Sequence, residues 1–97
     1  MTTLQLSDPK LLRQQCYVAG QWAHADGGAT LDVRNPATGA KLGTVPKMGA
    51  GETRRAIEAA KAAFPAWAAK PAKERAKLLR AWAALMHANA DDLAKLM

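Results

Sequence analysis

The spacing of apolar residues changes at Gly49, and that change decides what this chain can fold into. Before it, "LDVRNP" sets Leu31 and Val33 against Asp32 and Arg34, the alternation of a half-buried strand, and "KLGTVP" repeats it with Leu42 and Val45. "CYVAGQW" reads as a shorter hairpin around an Ala19-Gly20 turn. After it, "GAGETRRAIEAAKAAFPAWAAK" puts Ile57, Ala60, Phe64 and Trp67 on one face of a helix. The expected order is a short helix within residues 1–15, a small antiparallel β-meander over 16–48, and helices over 50–97.

The punctuation refines this order. In "SDPKLLRQQ", Asp8 can cap a short helix and Pro9 fits its first position, where a missing N–H costs nothing. Pro65 is expected to end or kink the first long helix, since it removes an amide and disfavours helix at Phe64. Pro71 opens a second helix. Its apolar stripe is Leu78, Leu79, Trp82, Leu85 and Met86, with Lys70, Lys73, Lys77 and Arg80 opposite. Asn89 reads as the N-cap of a third helix with Asp91 and Asp92 in its acidic first turn. Leu93, Leu96 and Met97 are still in helical period at the last residue, the pattern expected of a chain cut within a helix.

Composition then limits the core. Of the 97 residues 23 are alanine, while Leu, Ile, Val and Phe number only 16, below the roughly 20% of a well-cored chain. Alanine favours helix but buries little area, so the chain is expected to be marginal alone or to pack against further structure. The net charge is +6, with five basic and three acidic residues over 1–49 and nine and five over 50–97. Such an excess bears on encounter and solubility more than on fold. The single Cys16 excludes an internal disulfide and suits a reducing cytosol. No apolar run reaches the 18 or so residues of a spanning helix, and the first residues lack a signal-peptide pattern, so no membrane contact and a cytoplasmic location are expected.

"DVRNPATGAKLGTVPKMG" carries three glycines and two prolines and invites reading as a phosphate loop. A phosphate loop needs Lys-Ser/Thr and then a helix, whereas Gly39-Ala40-Lys41 runs into a strand. "NPATG" is instead a hairpin turn, with Pro36 fixing φ and Gly39 supplying the positive φ that closes it. Cys16 begins a strand with no histidine at a persuasive spacing and reads as structural. His24 and His87 are too few and too separate for a metal site. Arg75 falls within the apolar stripe and needs a partner there, expected to be a pair or carbonyl contact with a packed-on domain. The lysine face has no interleaved aromatic and includes Glu74 nearby, so it reads as solvated. Trp22, Trp67 and Trp82 each lie on the apolar side of an element, as core anchors do.

Taken together, "YVAGQW", "VRNPATGAKLGTVPKMGA", "AIEAAKAAFPAW", "KERAKLLRAWAALM" and "DDLAKLM" in this order resemble the N-terminal segment of the aldehyde dehydrogenase superfamily. "LGTVPKMGAGETRRAI" and "AKERAKLLRAW" are similar to bacterial succinate-semialdehyde dehydrogenases. The resemblance implies an α/β enzyme that oxidises an aldehyde to its acid with NADP or NAD, through a cysteine nucleophile and a water-activating glutamate. It places residues 1–97 in the cofactor-binding domain, as an edge meander and covering helices, with catalytic and cofactor-binding residues further along the chain. It also implies a homo-oligomer at full length, with the rest of the dehydrogenase chain and a small aldehyde as partners. Many members hold a monovalent cation through backbone carbonyls before the "NP" pair, here Val33 and Arg34. Two other readings compete. One is a small helical interaction module using the Ile57/Phe64/Trp67 and Leu79/Trp82/Met86 stripes; the other is a basic nucleic-acid binder.

Overall fold

The computed structural model describes residues 4–97. A 3₁₀ turn, Pro9–Leu11, is followed by strands β1 (Cys16–Val18), β2 (Gln21–Ala23), β3 (Thr30–Arg34) and β4 (Lys41–Pro46). Helices α1 (Ala50–Ala69), α2 (Ala72–Ala88) and α3 (Ala90–Leu96) complete the chain. Strands before helices were expected, and the boundary falls at Gly49, the N-cap residue of α1.

Three expectations need correction. The helix placed within residues 1–15 shrinks to three residues, Pro9–Leu11, with residues 1–3 of that range outside the described part. Asp8 caps it as expected, accepting from the Lys10 amide at 3.1 Å, but Leu12 turns extended and ends it. The meander is two separate hairpins: β1 pairs antiparallel with β2, and β3 with β4, in two two-stranded sheets. The six-residue connection between Ala23 and Thr30 turns at Gly28, whose amide donates to Ala25 O, and does not carry β3 alongside β2. Finally, of the two outcomes expected at Pro65 the ending is overturned, since α1 runs through it to Ala69. Proline inside a helix forfeits one backbone bond and costs about 3 kcal/mol, a penalty set here against an alanine-dense helix of 20 residues.

It is Pro71 that stops α1. A residue before proline is pushed out of the helical region, and Lys70 lies at φ −67°, ψ 142°. The Pro71 carbonyl then accepts from the Glu74 and Arg75 amides and starts α2. Lys70 therefore caps α1 and is not part of the basic face of α2.

Both hairpins are fixed by their turns. Ala19 and Gly20 have φ of 51° and 79°, the paired positive values whose twist matches that of two strands joined by two residues. This sets Tyr17 opposite Trp22, with ring centroids 5.0 Å apart, and Arg13 stacks its guanidinium 4.7 Å from the Trp22 ring centre. In the second hairpin the pairing shifts between Val33 and Arg34: Val33 faces Gly43 and Arg34 faces Lys41, so Leu42 is an extra, bulged residue.

Little is buried. Among the described residues Ala25 is the one buried apolar side chain and Asp92 the one buried charge. Phe64 is 64% exposed and Trp82 60%, so much of both helical stripes faces outward. Trp22 is also exposed and Trp67 half-buried, so none of the three tryptophans anchors a core within these residues. The radius of gyration is 16.7 Å, against about 12–13 Å for a compact domain of this length.

The arm before β1 reaches β4 through one side chain. Gln14 Oε1 accepts from the Thr44 amide at 2.8 Å, and a Cβ built on Gly43 would lie 2.8 Å from that same oxygen. Gly43→Ala should therefore push the flexible Gln14 side chain away and lose the bond, with little other strain. In the intact protein, exchange of the Thr44 amide should rise roughly fivefold in Gly43→Ala and in Gln14→Ala, for a bond worth about 1 kcal/mol. The double variant should exchange no faster than either single one, because both remove the same contact.

Candidate functional site

Three loops of this chain have the glycine content of an anion site, and the structure shows where their amides point. In the Asn35–Gly39 turn, the Asn35 side chain accepts from the Ala37 amide at 2.9 Å and the Asn35 carbonyl accepts from the Gly39 amide at 2.7 Å. Arg34 Nη1 donates to the Gly39 carbonyl at 3.1 Å, and its Nη2 pairs with Asp32 at 3.0 Å, so the guanidinium braces the turn. Lys41 completes the cluster 3.4 Å from Asp32. This is a self-satisfied hairpin turn, as the sequence indicated.

The second loop, Ala25–Gly28, and the third, the start of α1, are locked together. The N-terminus of a 20-residue helix attracts negative charge. Glu52 supplies it: Oε1 accepts from the Gly49 amide at 2.8 Å and Oε2 from the Asp26 amide at 3.1 Å. Arg55, one turn on, pairs with the Asp26 carboxylate at 2.6 Å. A phosphate at this helix start would have to displace Glu52. Sequence reasoning missed this clasp. The Gly49-x-x-Glu52 spacing of a capping arrangement was its one legible sign.

The remaining candidates are scattered. Cys16 is half-buried at the start of β1. His24 Nε2 lies 3.1 Å from Gln15 Nε2, and His87 is exposed in the last turn of α2. Among the described residues no three His, Cys, Asp or Glu side chains converge as a metal would require. Arg75 finds a carbonyl within the segment: Nε donates to Lys70 O at 3.2 Å. Asn89 does not cap α3 with its side chain; Nδ2 donates back to Leu85 O at 2.8 Å, at the end of α2. Val33 and Arg34 sit at the β-bulge, where regular ladder bonding is interrupted. Among the described residues no helix is long and apolar enough to cross a membrane.

Residues 22–97, from Trp22 through the bulged hairpin and all three helices, match the profile of the aldehyde dehydrogenase family. The chain belongs to that family. It is 64% identical over 94 residues to the glutarate-semialdehyde dehydrogenase of Pseudomonas aeruginosa, covering 97% of this chain and 20% of that one. It is 56% identical over 94 residues to the NADP(+) succinate-semialdehyde dehydrogenase of Escherichia coli K12, again 97% and 20%. The structure superposes on that of succinate-semialdehyde dehydrogenase from Burkholderia pseudomallei with a TM-score of 0.88 and 61% identity, over 92% of this chain and 18% of that one. For the crystal structure of an E. coli NADP dependent enzyme the TM-score is 0.92 at 56% identity, over 95% and 19%. This aldehyde dehydrogenase segment spans about a fifth of the length of the relatives it matches. Its α/β elements, open as they are, have the arrangement seen inside those longer chains.

The Glu52 clasp has a definite pH dependence. The Gly49 amide first, then the Asp26 amide and the Arg55 charge, hold the Glu52 carboxyl below its ordinary range. A lowered folded value means the contribution is complete above the unfolded value of about 4.3 and is lost as pH falls through the folded one. The Gly49 and Asp26 amide resonances should therefore shift together, at a pH below that at which an ordinary glutamate titrates. Glu52→Gln should abolish that shared step while leaving α2 resonances unchanged.

Proposed function

We propose that this segment is the N-terminal part of the cofactor-binding domain of an NADP- or NAD-dependent aldehyde dehydrogenase. In the intact protein the reaction is the oxidation of succinate semialdehyde to succinate. The segment's own role is structural. It supplies two edge hairpins and the covering helices, and no catalytic or cofactor-binding residue. The observation that carries this reading is the pairing of outward apolar stripes on α1 and α2 with close superposition on a chain about five times longer. Ile57, Phe64, Leu79 and Trp82 then meet the rest of the dehydrogenase chain, which gains the burial that these residues lack among themselves. The intact enzyme is a cytoplasmic homo-oligomer acting on a small aldehyde.

Glutarate semialdehyde, one methylene longer, is the second substrate reading. It is supported by the 64% identity to a dehydrogenase named for it. A single methylene is worth about 1–3 kcal/mol of discrimination, so the two aldehydes are best compared directly as kcat/KM.

The carbonyl oxygens of Val33 and Arg34 are proposed as ligands of a monovalent cation. Hard oxygen donors suit such an ion, and the bulge at this point supports carbonyls turned away from the ladder.

Assayed with NADP and with NAD, the intact protein should reduce cofactor on addition of succinate semialdehyde. The 97-residue chain should yield none under the same conditions, and turnover by it would overturn the structural role. Replacing potassium or sodium by a bulky organic cation should lower the melting temperature or activity of the intact protein. Indifference to the swap would remove the cation proposal.

A further inference from the structure

The arm before β1 is tied at both ends, and its fastening to α3 is unlike an ordinary helix start. Asp92 is the third residue of α3, a position from which a carboxylate commonly reaches back to its own N-cap amide. Here that amide is already used: Asn89 N–H donates to the Leu85 and Met86 carbonyls, because Asn89 also closes α2. The Asp92 carboxylate is thereby released to other donors. Both its oxygens turn to the arm, Oδ1 accepting from the Ser7 amide at 2.8 Å and Oδ2 from the Asp8 amide at 2.9 Å. Asp92 is only 4% exposed, the one charged group so enclosed among the described residues. A buried carboxylate must be paired or hydrogen-bonded, and these two amides supply what it needs.

Other contacts make the arm a single piece. One turn on from Asp92, Lys95 Nζ donates to the Gln5 carbonyl at 3.2 Å. Asp8 and Pro9 stiffen the middle through the capped 3₁₀ turn. At the far end Gln14 holds the Thr44 amide of β4. Leu4 and Leu12 of the arm line a shared cleft with Val33, Leu42 and Val45 of the second hairpin and Leu96 of α3.

We propose that residues 4–15 form a strap, closed by the Asp92 carboxylate on the Ser7 and Asp8 amides, that roofs this cleft and fixes α3 against the β3–β4 hairpin. The strap works in both directions: it holds α3, and α3 holds it. Opening the clasp frees the arm, bares the apolar cleft and loosens α3, while α1 and α2 stay as they are.

The test is amide hydrogen exchange and limited trypsin digestion of the intact protein, comparing native chain, Asp92→Ala and Ser7→Pro. In Asp92→Ala, exchange across residues 5–12 and at Leu93 should rise by roughly tenfold or more, and cleavage after Lys10 and Arg13 should quicken. Protection in α1 and α2 should not change. An arm that exchanges at the native rate in Asp92→Ala would overturn the proposal. If Asp92→Ala loses protection everywhere, Ser7→Pro decides, since it removes one donor from the arm side and changes no residue of α3. Faster exchange in the arm and α3 of Ser7→Pro supports the strap; native rates in both overturn it.

Discussion

Burial of apolar surface is the term on which the rest of this structure depends, and the segment has too little of it to spend on itself. Removing apolar area from water yields about 25 cal/mol per Å², and alanine offers few of those ångströms. Ala25 is buried; Phe64, Trp82 and Leu85 are not. What joins the pieces is instead a small set of carboxylates aimed at backbone amides. Glu52 binds the start of α1 to the loop after β2, and Asp92 binds α3 to the arm. Both carboxyls are held below the ordinary range by the amides they accept from, Gly49 first for Glu52 and Asp8 first for Asp92.

Such fastening sets geometry well but supplies little cohesion, because each bond replaces one to water. An open body with fixed angles between its pieces suits the covering role proposed for it. Membership of the aldehyde dehydrogenase family and superposition on enzymes about five times longer accord with that division of labour. The polar clasps give the segment its shape, and the apolar stripes on α1 and α2 remain available to a larger surface.

Features governed by near neighbours were legible in the sequence. Pro71 introduced the second long helix, Asp8-Pro9 opened a capped turn, and "NPATG" made a hairpin rather than a phosphate loop. The shortage of core residues followed from counting alanines. What escaped was set at a distance or by competition. Nothing local says that Glu52 reaches Asp26, or that Asp92 serves residues 84 and 85 positions away rather than its own helix. Asn89 could cap either of two helices, and its side chain went to the earlier one. Pro65 lost to the helix around it, and the strand pattern could not distinguish one sheet from two. Of the candidate site, the position of Val33 and Arg34 before the turn could be read; the bulge that Leu42 makes opposite them could not.

The separation of Ser7 from Asp92 also orders events during synthesis. The hairpins and α1 are made of partners close in sequence and can form as soon as they emerge, on a microsecond scale. The arm cannot settle until residue 92 exists, 85 positions later. At about 5–20 residues per second that is a wait of roughly 4 to 17 s, immense beside the folding of a hairpin. Throughout that wait the leucines of the arm lack the fastening that Asp92 provides. A nascent chain of this kind presents its arm to whatever waits near the ribosome.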